Sequence, residues 1–374
     1  MRSFNKQLSS AHQIKLNNNQ KPNIGDTVTM KKIQSSISTL ALALVVGVSS
    51  LTTDCRAAGN IGDIFQIGQI TFAGGKRDFV STPFVRPVED NGTGVVSAVS
   101  NSTTLVLNPD GADYTGTAQW TGGSTSVDKW YIVEILDGRY IGMVFLIATQ
   151  NGNTVTTTEV ELPTDGALVG SKYAIRKDWT LSTLFGDTSS PEFPLAKAGS
   201  ASTADTVNVF IQKTQGFVTY YVNTAGLWKN GFNQTTPHAR VPYGAGVQVL
   251  RRALGNATMT LSGEARKSRL RRDVGANQFA LLANLSLAPT TLQALAPSID
   301  RGASAAEDKV EVWSTATALG TWVPYYRRNS DGAFTSAFGT TLNVPVGAGK
   351  VVRVRNTGVA RTGANAITAE PNLP

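Results

Sequence analysis

The segment Val241-Pro242-Tyr243-Gly244-Ala245-Gly246 recurs as Val344-Pro345-Val346-Gly347-Ala348-Gly349, and this recurrence constrains the fold most. The two runs lie 103 residues apart, and the same spacing separates Asp205-Thr206-Val207-Asn208-Val209-Phe210 from Asp308-Lys309-Val310-Glu311-Val312-Trp313. Between these markers, Tyr220-Tyr221 matches Tyr325-Tyr326, and Trp228 matches Phe334. Four matches in one order predict an internal duplication of about 90 residues per copy, too few units for a solenoid. In each copy an alternating strand places one set of side chains on each face, a tyrosine-bearing strand returns, and a Pro-x-Gly-Ala-Gly turn re-aims the chain.

Alternation with period two dominates the rest. Lys129–Ile135 reads as a strand, Asp137-Gly138 as a turn, Tyr140–Ile147 as a buried strand, Asn151-Gly152-Asn153 as a second turn and Thr154–Val160 as a third strand. Phe79–Phe84, Thr104–Leu107 and Gly116–Trp120 add earlier strands. Helical signal is brief: Asp178–Gly186, with Asp178 as cap and Gly186 as stop, and Thr290–Leu295. The expected class is mainly β: an N-terminal antiparallel β-meander domain followed by two related sandwich-like β-modules, with one or two short helices. The expected boundaries are 58–170 for the meander, 171–265 and 276–374 for the modules, and 266–275 for a basic connector.

Address follows from the N-terminal region. Met30-Lys31-Lys32 precedes the apolar run Leu40–Val48, and Ala57, Ala58 and Gly59 follow. That order predicts a secretory signal peptide over 30–57, with 1–29 a disordered or mis-annotated leader. The chain beyond it is expected to be secreted, periplasmic or on the cell surface, touching a membrane only through the signal. Residues 1–57 hold seven of the 34 lysines and arginines and two of the 26 acids, so the whole-chain +8 falls to +3 in the remainder. That balance removes the argument for nucleic acid. The only cysteine, Cys55, also falls in the signal region, so no disulfide is expected to hold the exported fold.

Chemistry-bearing candidates are few. Arg266-Lys267-Ser268-Arg269-Leu270-Arg271-Arg272 carries five basic residues in seven and reads as an exposed connector that contacts an anionic polymer through Arg266, Lys267, Arg269, Arg271 and Arg272. In consecutive tyrosines on a strand one ring points out, so Tyr221 and Tyr326, with Trp228, are candidates for stacking on a sugar. Trp313 and Trp322 extend that set. His238 lacks partners at metal-ligand spacing. Glu134 and Asp137 lie three apart on a strand, where they face opposite sides, and this disfavours a glycosidase pair. Asn108–Asp113 and Asn329–Gly332 resemble calcium loops without the closing glutamate. Phosphate-binding glycine loops, Cys-x-x-Cys, Gly-x-Ser-x-Gly and His-Glu-x-x-His are absent from the sequence. No metal, cofactor or catalytic residue is expected, and oligomeric state is not legible.

The run Trp130–Gly138 with Gly142–Phe145, then Tyr173–Phe185, resembles a family of uncharacterised secreted proteins found chiefly in Verrucomicrobia. The similarity continues through Val241–Gly246 and Leu261–Arg266, whereas Ala280–Leu285 departs from the family's Asn-Pro pattern. The resemblance implies export and β-structure, and assigns no functional residue. The function expected from all of this is that of an exported, non-catalytic envelope or surface protein, structural or adhesive, with polysaccharide or envelope components as partners. The alternatives are a glycan-binding module using the outward tyrosines and an acid-pair glycan-active enzyme.

Overall fold

The computed structural model describes residues 65–369 except 115–119, 121–128, 267, 286–287, 296, 301–307, 318, 337–342, 359 and 363–364. The signal peptide, Cys55, Lys267 and most of the expected strand Gly116–Trp120 lie outside the described residues. The protein is mainly β, with antiparallel sheets and, among the described residues, two short helices.

Six strands close a barrel: β4 (Val88–Asn101), β5 (Thr104–Pro109), β6 (Tyr131–Ile135), β7 (Val144–Asn151), β8 (Thr154–Thr158) and β9 (Lys172–Lys177), in the order β4-β5-β8-β7-β6-β9. The meander β6-β7-β8 runs as expected, although β7 begins at Val144 and not at Tyr140. Gly142 turns the chain there with φ +87, and a Cβ on it would lie 1.9 Å from the Arg269 carbonyl oxygen. Closure depends on β4, which must serve β5 and β9 at once. It does so with register shifts at three places and with Asn91 at φ 59. A Cβ on Gly94 would meet the Asn108 oxygen at 2.2 Å, so only glycine permits this β4–β5 contact. Val96, Leu105, Leu107, Val133, Phe145, Val155 and Tyr173 fill the interior.

The remaining strands form two five-stranded sheets and smaller ladders. The first sheet has β2 (Arg77–Val80), β11 (Thr206–Ile211), β12 (Gly216–Val222), β13 (Trp228–Asn230) and β15 (Val247–Leu250), in the order β13-β12-β11-β15-β2. The second has β18 (Phe279–Ala283), β20 (Lys309–Ser314), β21 (Thr321–Arg327), β22 (Phe334–Thr335) and β24 (Val351–Arg355), in the order β22-β21-β20-β24-β18 when read from its opposite edge. The smaller ladders correspond too. β1 (Phe65–Phe72) pairs with β16 (Ala257–Ala265), as β17 (Leu270–Arg272) pairs with β25 (Ile367–Ala369). β10 (Trp179–Thr180) pairs with β14 (Arg240–Val241), as β19 (Thr290–Thr291) pairs with β23 (Pro345–Val346). The helices α1 (Leu181–Phe185) and α2 (Leu292–Leu295) follow β10 and β19.

This pairing regroups the chain. Strands within 65–85 belong with 179–265, because β1 and β3 (Phe84–Val85) pair with β16 and β2 pairs with β15. The barrel, 88–177, is inserted between them. The expected boundary at 170/171 therefore falls just before a barrel strand, and the expected connector contains β17, Leu270–Arg272. Local reading assigns contiguous segments, whereas ladders such as Phe65–Glu264 join residues nearly 200 positions apart.

The matched aspartates do matched work. Buried Asp205 accepts from Ala196 N, Arg252 N and the Arg251 guanidinium; buried Asp308 accepts from Asp300 N, Thr357 N and the Arg361 guanidinium. Each ties the chain entering a sheet's middle strand to the chain leaving its fourth. Val207 and Val209 face the first module's core and Phe210 the opposite side, as alternation requires. There Phe79 and Phe210 meet Phe279, Trp313 and Trp322 across the two sheets, with centroids 4.6–4.8 Å apart, and Phe217 packs on Phe79 and Phe210 within its own sheet. The glycine turns cross reciprocally: Ala283 N donates to Gly244 O, and Ser81 N donates to Gly349 O.

One helix cap differs from expectation. Thr180, not Asp178, caps α1, accepting from Thr183 N in a capping box, while Asp178 is buried beside Arg240.

Gly246 and Gly349 hold equivalent places with φ +73 and +61, but a Cβ on Gly246 would meet Val80 O at 2.4 Å and a Cβ on Gly349 only the Ile70 side chain at 3.0 Å. Gly246→Ala is expected to cost about 3 kcal/mol or more and Gly349→Ala about 1–2 kcal/mol, since backbone cannot yield as a side-chain tip can. Urea unfolding of the two variants checks the order.

Candidate functional site

Alternation in the barrel wall builds the site. In β6, Tyr131, Val133 and Ile135 face the barrel core, so Ile132 and Glu134 face outward toward the modules; in β9, Tyr173 and Ile175 face in and Arg176 faces out. Ile132 sits opposite Arg176 in the β6–β9 ladder, which places Glu134 diagonally from the guanidinium. Glu134 is 1% exposed, and Arg176 donates to it from Nε at 3.0 Å. Arg176 Nη1 donates to Arg86 O and to Glu264 of β16.

The connector supplies the rest. Sequence reading expects it exposed; the structure buries it, with Arg266 2% and Arg271 8% exposed. Arg266 donates from Nε to Ser268 O at 2.9 Å and from Nη2 to Gly142 O and Arg269 O, and Nη2 lies 3.2 Å from Glu134 Oε1. Ser268 Oγ also donates to Glu134 Oε1. The guanidinium lies over the Tyr243 ring at 4.7 Å. Five basic residues in seven read as a solvated run because charge pattern reports composition; the carboxylate that pairs with Arg266 comes from β6, more than 130 positions earlier. The contact with an anionic polymer therefore loses Arg266 and Arg271 as surface groups.

A second ionic group adjoins. Arg240 donates to Asp178 at 2.6 Å and pairs with half-exposed Glu159. Burial holds the Asp178 carboxyl above its usual range, against the pull of Arg240. Arg272 has no such ion pair among the described residues, and its Nε and Nη2 are buried without a hydrogen bond. Burial, with Arg240 and Arg266 nearby, lowers its pKa to about 10. Tyr243 OH and Arg266 Nη1 are likewise buried and unpartnered. Burial raises the Tyr243 phenol far above its ordinary value. Beside this network lies a cavity of about 270 Å³, lined by Val85, Glu134, Leu136, Ile141, Arg176, Ala265, Arg266 and Ser268.

The aromatic candidates turn inward. Tyr221, expected outside, is 3% exposed, because the Asn230–Asn233 loop folds over it and its hydroxyl donates to Asn233 Oδ1. Tyr326 is 6% exposed beside β22, and Trp228 packs on Phe185 and Phe193 in the first module's core. Alternation places the two tyrosines of each pair on opposite faces, with Tyr220 and Tyr325 packed against the cores, but Tyr221 and Tyr326 are covered as well. His238 Nδ1 lies 3.5 Å from Ser182 Oγ, the outer limit of a hydrogen bond, while that hydroxyl is 3.1 Å from Thr180's. This is too loose for a nucleophile and its base. The calcium-like turns spend their acids locally: Asp331 pairs with Arg328, and Asp113 accepts from Asn153. Among the described residues no three His, Cys, Asp or Glu side chains gather to hold a metal.

Both oxygens of Glu134 are engaged by cationic or hydroxyl donors, which suits it to fastening the connector to the barrel and not to proton transfer. Comparison with protein-family models, with curated proteins and with solved structures finds no match to this chain.

Glu134→Ala leaves two buried guanidiniums without their shared carboxylate and is expected to cost about 3–5 kcal/mol in chemical unfolding. Arg272→Met is expected to be neutral or stabilising at neutral pH, since it removes an unpaired buried charge. The folded pKa of Arg272 lies below its unfolded value, so the wild type recovers stability as pH rises above about 10, and the advantage of Arg272→Met narrows there. Denaturation at pH 7.5 and 10.5 reads both effects.

Proposed function

We propose that this chain is an exported, non-catalytic protein of the cell envelope or surface, with a structural or adhesive role. The observation that carries this reading is the use made of its charged and aromatic side chains. Glu134, Arg176, Glu264 and Arg266 are spent joining the barrel to the modules, and Tyr221, Tyr326 and Trp228 are spent inside the modules. Such an arrangement favours rigidity over turnover. Phe232 and Leu254, 88% and 91% exposed at loop tips, offer apolar points for adhesion.

The corresponding strand orders, matched aspartates and reciprocal turns support reading the two modules as a duplicated, sandwich-like unit with the barrel inserted in the first copy. Export rests on the lysine-led apolar run before Ala57, and kinship with secreted proteins of Verrucomicrobia rests on the segments around Trp130, Tyr173 and Val241. No helix among the described residues is long and apolar enough to cross a membrane.

Fractionating cells of the native host and sequencing the mature N-terminus tests the address: the protein is expected in the envelope or medium, beginning near residues 58–60. Recovery of the intact 1–374 chain from the cytoplasm overturns export. Polysaccharide turnover that is lost in Glu134→Gln overturns the non-catalytic reading.

A further inference from the structure

The cavity beside Glu134 has one wall of charge and one of hydrocarbon. Arg266 is 2% exposed and lines it, yet its Nη1 has no acceptor. Among the described residues Glu134 is the only carboxylate lining the cavity. Its Oε2 is taken by Arg176 Nε, and its Oε1 by Ser268 Oγ and Arg266 Nη2. A buried charged donor without an acceptor is expensive, and an anionic acceptor makes the strongest hydrogen bond to it. The local charge balance agrees: Arg176, Arg240, Arg266 and Arg272 face three buried carboxylates, Glu134, Glu264 and Asp178, while Glu159 is half exposed.

The opposite wall is Val85, Leu136, Ile141 and Ala265. At about 270 Å³ the space is much larger than one water requires, and an inorganic anion would leave those four side chains uncovered. A guest carrying one negative charge on an apolar body meets both walls. We propose that the cavity between β6, β9 and the β16–β17 crossing binds a small organic carboxylate, its anionic group on Arg266 and its apolar body against Val85, Leu136, Ile141 and Ala265. The inference concerns a ligand within the scaffold and stands independently of the structural role.

Titration calorimetry and thermal melting of the full chain test it with butyrate, benzoate, their neutral amides and inorganic phosphate. Both carboxylates are expected to bind and to raise the melting temperature, with amides and phosphate at least about tenfold weaker. Ile141→Trp fills the apolar side without touching an ion pair; it is expected to keep a cooperative melt and weaken carboxylate binding about tenfold or more. Arg266→Lys is expected to weaken it too, and because that variant can lose stability, Ile141→Trp is the deciding one. No carboxylate binding by folded protein overturns the proposal. So do an amide or phosphate that matches the acid, or unchanged binding in Ile141→Trp.

Discussion

Glu134 is the point through which the three parts of this protein are fastened. Its carboxylate accepts from Arg176 within the barrel wall and from Ser268 and Arg266 of the crossing segment, and Arg176 reaches on to Glu264 of β16. These groups are out of water, so each charge depends on its neighbour for solvation. Removing one partner exposes the rest to the full desolvation penalty, while the intact set holds barrel, first module and second module in one register. The apolar contacts around it, such as Ile132 and Leu146 of the barrel wall within the second module's core, stabilise the same junction without fixing its geometry.

Around that junction the two modules engage each other with near-reciprocal contacts. Gly244 and Gly349 carbonyls receive amide donors from the opposite module, and the aromatic cluster of Phe79, Phe210, Phe279, Trp313 and Trp322 fills the space between the sheets. The correspondence is incomplete where the barrel intervenes. Gly244 has a positive φ against Leu270, whereas Gly347 has no such strain and lies near Lys350. The same motif is thus held by different neighbours in its two settings.

Much of the local structure was legible. Alternation around Val207 and Trp130 reports strands because period two is a property of the backbone, and the recurrence of Val-Pro-x-Gly-Ala-Gly marks turns that require glycine at Gly246 and Gly349. Less legible was which strand meets which. β1 pairs with β16 across the whole inserted barrel, and no local pattern encodes that partner. The site suffered most. Arg266 and Arg271 look like a surface run until Glu134, Gly142 and Tyr243 are brought beside them, and Tyr221 looks outward until the Asn230–Asn233 loop covers it.

The sequence by itself determined the β class, the short helices, the matched turns and the two faces of each strand, because these follow from backbone periodicity and from the angles that glycine alone tolerates. Only the tertiary structure decided that strands within 65–85 pair with strands beyond the barrel, that Arg266 and Arg271 of the basic segment are buried and that Arg266, with its Nη1 unpartnered, lines a cavity. Burial and charge pairing are set by residues far apart in the chain, and their energies exist only once water has been excluded between them.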